Sequence, residues 1–371
     1  MKVKAAVISE INQAYRFETL NLAELKDDEV RVKIVATGIC HSDDALRLGH
    51  AGFPFPAVLG HEGSGIVEKV GSAVKHVQAG DHVVLAYAYC HHCEHCSEGI
   101  PAACQDWLAL NWGSVHSDGS PFFTRDDGSV VNNFFHQSSF ASHTNVKESN
   151  VIKVSKDLDL RLLGPLSCGL MTGVGTVING LKARPGSSIA IFGTGAVGLA
   201  AMMAAKISGC STIIAVDIHD ARLELAKELG ATHIINSKNS DAAELIREIT
   251  QQKGVNYSVD TTGVTVVMKT ALDVLAIRGV TAPIAVTNQE LTINTLTDLA
   301  LSSKNMIGVL MGSSVPQLSI PKMLEFFKAG QFPFDKLIKM YDFDDINQAS
   351  ADSLSGKTIK PVLIVDKDYR V

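Results

Sequence analysis

Apolar positions along this chain follow two rhythms. Up to about residue 165, short apolar runs are interrupted by glycine and polar residues, as at Glu29 to Ala36, Gly65 to Val70 and Asp81 to Ala86. A long loop follows from about Gln105 to Asn133, and no helical stripe of any length precedes residue 160, so this part is expected to be all-β. From Ser188 the pattern changes. Ser188 to Phe192 reads as a buried strand, Ala196 to Ser208 as an Ala- and Met-rich helix, and Thr212 to Val216 as a second strand. A helix at Asp220 to Leu229, a strand at His233 to Asn236 and further units at Asn256 to Asp260 and near Val280 to Val286 continue the alternation. Alternating β and α elements predict a parallel, doubly wound sheet. Past Gly312 come a helix at Ile320 to Lys328 and a β-like tail ending at Val365. The expected division is 1–168, 169–311 and a return of 312–371 to the first part.

The 371 residues suffice for two ordinary domains, and 46% hydrophobic with 19% charged residues fits a folded, soluble chain. A net charge of −6 without a long basic run argues against nucleic acid or an anionic membrane as partner. The N-terminus reads as a short strand rather than a signal peptide, and no stretch reaches the ~20 apolar residues of a span, so a cytoplasmic protein is expected. Four of the seven cysteines, Cys90, Cys93, Cys96 and Cys104, crowd into one loop. In a reducing compartment clustered thiols read first as metal ligands.

Gly193-Thr194-Gly195-Ala196-Val197-Gly198 lies between a predicted strand and a predicted helix. Such a turn lets a pyrophosphate approach the backbone amides of a helix N-terminus. Alone the string is weak. Asp217, at the end of the second strand, strengthens it: a carboxylate there can bond both ribose hydroxyls of the adenosine and repels a 2′-phosphate, which favours NAD over NADP. Arg222 stands where it can reach the same ribose and leaves some room for NADP. The four clustered cysteines suit a closed tetrahedral zinc site of the structural kind, with His91, His92 and His95 as solvated or loop-packing residues.

A second set is dispersed over Cys40-His41-Ser42-Asp43, Gly60-His61-Glu62 and Gly164-Pro165-Leu166-Ser167-Cys168. With Gly60-His61-Glu62-Gly63-Ser64-Gly65, Gly71 and Val74, the cysteine loop and the nucleotide fingerprint at matching distances, the chain resembles the zinc-containing medium-chain dehydrogenases over essentially its whole length. The resemblance implies a mainly β GroES-like catalytic domain beside a Rossmann domain, two zinc ions per chain and NAD. It makes Cys40, His61 and Cys168 the catalytic zinc ligands, a set of two cysteines and one histidine that leaves one position for substrate. A metal so held favours loss of an alcohol's proton, and hydride then passes to the nicotinamide. By the same resemblance Ser42 relays the proton, Asp43 orients the ligand histidine, and Glu62 can approach the metal. Thr172 and Val197 should lie near the nicotinamide, and His41 and Lys360 should meet the pyrophosphate.

The chain departs from its relatives at three places. Ala45 stands where several carry the histidine that finishes the proton relay, His41 where others have arginine, and Gly279 to Thr287 matches the nicotinamide-adjacent strand only loosely. Ala51 and Phe53, and the lack of arginine between Cys104 and Arg125, exclude the glutathione-dependent formaldehyde branch. Ala86 replaces a bulky aromatic; with Trp107, Leu108, Leu110 and Trp112 nearby, the pocket should be apolar and roomy. Phe134 to Ala141 is similar to the aryl-alcohol branch. The expected substrate is an aromatic, allylic or terpenoid primary alcohol or its aldehyde, with an aliphatic alcohol or polyol as the alternative, and a non-enzymatic nucleotide-binding relative a more distant one. A homo-oligomer, dimer or tetramer, is expected.

Overall fold

The computed structural model describes residues 1–371. The chain divides into two compact units, one formed by 1–168, 315–321 and 335–371, the other by 169–314 and 322–334. The returning segment that the sequence places at 312–371 is thus shared: its helix Pro316–Lys328 begins in the first unit and ends in the second.

The first unit is built on two β assemblies. Five short strands, Lys2–Ile8, Arg16–Leu22, Phe123–Thr124, Val130–Asn133 and Ala57–Val58, close into a small barrel. Beside it a seven-stranded sheet centres on Glu29–Gly38, which pairs with Gly63–Val70 along one edge and with His143–Lys147 and then Lys360–Ile364 along the other. Nearly every residue of Glu29–Gly38 is buried, because the strand is enclosed on both sides; its apolar content therefore looks continuous rather than alternating. Val30, Val32, Ile34, Val67, Val83 and Leu85 form the core beneath it.

This unit is not all-β as expected. It also carries the helices His41–Arg47, Glu94–Ser97 and Trp107–Trp112. Each is shorter than two turns, too short for a 3.6-residue hydrophobic period to register. His41–Arg47 is fixed locally instead, by the Asp43 carboxylate at its third position accepting the backbone N–H of Cys40 at 3.0 Å, half of a capping box.

The second unit has six parallel strands in the spatial order His233–Asn236, Thr212–Asp217, Ser188–Phe192, Val255–Asp260, Leu275–Pro283, Asn305–Met306. This order, third-second-first then fourth-fifth-sixth, is that of the Rossmann fold, with its crevice where the order reverses beside the first strand. A helix at Gly169–Gly175, continuing as a wider turn through Thr176–Gly180, carries no periodic signal in the sequence. It is buried almost all round and rich in Gly, Thr and Val, so it has neither an amphipathic stripe nor strong helix propensity. No single helix is long and apolar enough to cross a membrane.

The turn after Ser188–Phe192 shows what its glycines are for. A Cβ on Gly198 would stand 1.9 Å from the Gly193 carbonyl oxygen, whereas one on Gly195 would meet nothing within 4 Å. Gly198 therefore sets the distance between the helix Ala196–Ile207 and its strand, and Gly195 leaves a face open. Gly198→Ala should destabilise the unit by about 1–3 kcal/mol through overpacking and lower its calorimetric melting temperature, while Gly195→Ala should melt with the parent. Equal melting of the two variants would contradict this division of roles.

Candidate metal centres and nucleotide cleft

Three separate stretches of the first unit meet at Cys40, His61 and Cys168, whose ligand atoms all lie within 4.8 Å of one another. Cys40 caps the helix after the central strand, and Cys168 ends the 3-10 turn Gly164–Ser167. Gly60 adopts φ +91° to turn the chain into His61, and a side chain there would strike the Phe140 backbone. The two Sγ atoms stand 3.9 Å apart. His61 Nδ1 faces Asp43 Oδ1 at 3.0 Å, while its Nε2 is buried and has no partner in the protein. An orphaned imidazole nitrogen between two thiols is costly unless a cation accepts its lone pair. The shared proton of the thiols drives Cys40 well down and Cys168 well up. Two sulfurs and one imidazole suit a borderline metal such as zinc.

Around this set, Ser42 Oγ is 3.7 Å from Cys40 Sγ. Glu62 is fully buried, and burial pushes its carboxyl up to about 7 despite the ammonium of Lys360 beside it. Lys360 Nζ spends its donors on both Glu62 oxygens at 3.0 Å and on the Ile39 carbonyl at 3.1 Å. It is thus turned toward Glu62 and enclosed, whereas His41 is exposed. Ala45, one helical turn past Ser42, offers no proton acceptor.

The ligand atoms of Cys90, Cys93, Cys96 and Cys104 likewise lie within 4.8 Å of one another. Backbone N–H groups of Cys90 and Cys93 point at the sulfurs of Cys104 and Cys90, at 3.4 and 3.3 Å. Hydrogen bonds from the Gln105 and Cys96 backbone hold the Cys93 thiol down to about 6, whereas burial and the neighbouring thiols push Cys96 up to about 12. Four thiolates this close need a cation to remain ionised together. The interleaved histidines turn elsewhere: His92 Nδ1 faces the Cys90 carbonyl at 2.7 Å, and His91 packs on Tyr89 with ring centroids 4.0 Å apart.

In the second unit, Asp217 ends the strand Thr212–Asp217 and lines a cavity of about 450 Å³ with Gly193, Val216, Ile218 and Thr262. Its Oδ2 accepts from the Thr194 N–H and hydroxyl at 2.6 and 2.7 Å, and its Oδ1 from the Ile218 and His219 N–H groups at 2.7 and 3.0 Å. Burial raises the Asp217 pKa, yet these bonds outweigh it and leave the group below the usual carboxylate range. Arg222 is half-buried on the following helix, outside that lining. The helix Gly169–Gly175, which carries Thr172, packs on the start of Ala196–Ile207, where a Cβ on Gly173 would come 2.2 Å from the Val197 carbonyl.

The apolar surroundings differ in detail from expectation. Leu108 is 68% exposed, and Leu110 lines a different cavity, beside His116 and His136. Phe134 and Phe135 take their place, with ring centroids 5.3 and 4.8 Å from that of His61. Trp112 contacts both, Phe53 packs on Phe134, and Trp107 on Phe135. Phe135 sits at φ +58°, an unusual backbone for an aromatic residue that no local sequence preference announces.

Comparison with known proteins shows the family. The family pattern described as "Alcohol dehydrogenase GroES-like domain" matches residues 26–156, and that described as "Zinc-binding dehydrogenase" matches 196–329. The geraniol dehydrogenase of Castellaniella defragrans is 39% identical over 98% of both chains. The chain belongs to the zinc-containing alcohol dehydrogenase family. Among solved structures, the benzyl alcohol dehydrogenase of Acinetobacter calcoaceticus is 44% identical with a TM-score of 0.95, covering 99% of this chain and 100% of its own. An alcohol dehydrogenase zinc-binding domain protein from Burkholderia ambifaria is 46% identical, with a TM-score of 0.95 and 99% coverage of each. The protein is accordingly an oxidoreductase that uses zinc and a nicotinamide cofactor, and its fold is the Rossmann unit with a GroES-like partner.

The two cysteine sets should respond differently to mutation. Cys168→Ser should cost one zinc per chain and lower kcat by on the order of 10³-fold, the several kcal/mol that a Lewis acid supplies, with melting and nucleotide binding preserved. Cys93→Ser should also cost one zinc but lower the melting temperature by several degrees, because metal at a closed site contributes to folding. Metal analysis with calorimetry on both variants checks this; a reversed pattern would exchange the roles of the two sites.

Proposed function

We propose that this dehydrogenase interconverts aromatic, allylic or terpenoid primary alcohols and their aldehydes, with NAD as the hydride acceptor and two zinc ions per chain. The observation that carries the substrate class is the aromatic wall of Phe134, Phe135 and Trp112 against the ring of His61. Phe134 and Phe135 are themselves buried and back this wall, so the half-buried Trp112 and Phe53 that pack on them would give a flat, unsaturated substrate its area and edge-to-face contacts, which ethanol or a polyol would leave unused. The names of the geraniol and benzyl alcohol dehydrogenase relatives favour the same reading.

In this mechanism the catalytic metal supplies Lewis acidity and the nicotinamide accepts hydride. The chain supplies the rest. Cys40, His61 and Cys168 hold the metal and leave one position for the substrate oxygen. Asp43 fixes the His61 tautomer by accepting the Nδ1–H hydrogen bond, so Nε2 would keep its lone pair for the metal. Ser42 accepts the alcohol proton at its hydroxyl. With Ala45 beyond it, the proton continues through water or the cofactor ribose. Glu62, held by Lys360, keeps a carboxylate close to the ligand histidine. Cys90, Cys93, Cys96 and Cys104 hold the second zinc. Asp217 bonds the adenosine ribose once Thr194 yields part of its hold, with Arg222 beside it, while Thr172 and Val197 border the nicotinamide end. The enzyme acts in the cytoplasm as a homo-oligomer, without nucleic acid or membrane as partner.

Steady-state rates on benzyl alcohol, geraniol, ethanol and glycerol test the substrate class. We expect kcat/KM for the first two to exceed the last two by at least about 10²-fold, near the ~3 kcal/mol an apolar pocket can discriminate. Trp112→Ala should lower kcat/KM for benzyl alcohol about tenfold and leave ethanol nearly unchanged; equal losses on both would remove Trp112 from the pocket wall. Asp217→Ser should weaken NAD and improve NADP, and an unmoved ratio of the two would take Asp217 out of ribose recognition.

A further inference from the structure

A third group of metal-competent side chains lies in the first unit and shares no residue with either cysteine set. Glu29, His116 and His136 have ligand atoms within 4.8 Å of one another, and all three residues are buried, at 0%, 5% and 7% exposure. Glu29 opens the central strand. His116 lies in the loop after Trp107–Trp112, and His136 in the segment after Val130–Asn133.

The proton positions here follow from the partners. His116 Nδ1 faces the Ser120 carbonyl at 2.9 Å, and a carbonyl only accepts, so this nitrogen carries a hydrogen. In the neutral ring the lone pair is then on Nε2, which points at Glu29 Oε1 from 2.8 Å. A lone pair facing a carboxylate requires positive charge between them. One answer is a second proton on His116. That leaves His136 unexplained, since its Nε2 stands 3.6 Å from the same Glu29 oxygen, buried and without a hydrogen-bond partner. Burial also holds the His136 pKa below its ordinary value, which disfavours a proton there.

A divalent cation answers all three groups at once. It would accept the lone pair of His116 Nε2, and that of His136 Nε2 with the His136 proton on Nδ1, neutralise Glu29, and explain why His116 gives its other N–H to a backbone carbonyl, the usual orienting bond of a metal-bound histidine. We propose that Glu29, His116 and His136 form a further zinc site. Bonds of about 2.0–2.1 Å would hold the three ligand atoms within about 4.2 Å of one another, so small ring tilts suffice. The second Glu29 oxygen is already satisfied by the Lys26 N–H at 3.0 Å. Phe122 stacks on His116 with centroids 3.6 Å apart and meets His136 edge-on at 4.6 Å, which shields one side of the site. On another side both histidines line a cavity of about 970 Å³, which offers an entry path and room for a water as fourth ligand. The ion would pin the loop after Trp107–Trp112 and the segment carrying Phe134 and Phe135 to the central strand.

The test is metal content of the full-length protein and two variants, each saturated with zinc and then dialysed without chelator. His136→Gly suits the backbone, since residue 136 sits at φ +49° where glycine is favoured; Glu29→Gln removes the charge. Each should carry one zinc ion per chain fewer than the parent, whatever the occupancy of the cysteine sites. Metal content equal to the parent's in a folded variant overturns the proposal. Native mass spectrometry of the parent gives an independent reading: a species with three zinc ions is expected, and a ceiling of two at saturating zinc contradicts the site.

Discussion

One buried carboxylate sets the geometry on which the chemistry depends. Asp43 is fully enclosed, and its two oxygens accept from the Cys40 N–H, the Gly60 N–H and His61 Nδ1, each at 3.0 Å. It therefore fastens the strand end that carries one ligand to the turn that carries another, and fixes which nitrogen of His61 is free. A buried carboxylate is tolerable only when its lone pairs are filled and its charge is answered. The donors fill the lone pairs, and a cation on His61 Nε2 would answer the charge. Removing any partner would leave an unpaired group in a closed interior, so the arrangement is either complete or unfavourable.

The same reasoning separates the polar groups the fold has settled from those it leaves waiting. In the nucleotide cleft every Asp217 oxygen is already bonded within the protein. A ribose bound there, as proposed, would have to displace some of these bonds. Between Cys40 and Cys168 the buried His61 Nε2 is left without a partner, and the two thiols pull each other's titration apart. Lys360 and Glu62 show the settled kind of pairing: a buried ammonium and carboxylate that neutralise each other next to the ligands.

Much of this was legible in the sequence because it rests on spacing. The fingerprint Gly193 to Gly198, Asp217 at the second strand end and the four clustered cysteines each fall within one local segment, and the resemblance to the dehydrogenases assembled the dispersed ligands. The strands at His233–Asn236 and Val255–Asp260 and the helix Asp220–Leu229 follow the apolar pattern closely. What escaped was non-local or too short. The helices His41–Arg47 and Trp107–Trp112 are set by capping and packing rather than period. Leu108 neighbours Trp107 in sequence, yet on the helix Trp107–Trp112 it lies about 100° further round and faces outward. The contact of Phe135 with His61 needs a left-handed backbone that aromatic residues seldom adopt. The gathering of Glu29, His116 and His136 joins positions that only the folded sheet brings together.

The central claim is that hydride moves from a bound alcohol to the nicotinamide under control of the metal held by Cys40, His61 and Cys168. Its most direct test is a single-turnover experiment, mixing enzyme and NAD rapidly with benzyl alcohol or its α-dideuterated form and following the appearance of reduced cofactor. The account predicts a burst that is slowed several-fold by deuterium and abolished when the catalytic zinc is withdrawn by a chelator, then restored by added zinc. A burst of unchanged rate and isotope effect in the zinc-depleted enzyme would contradict it.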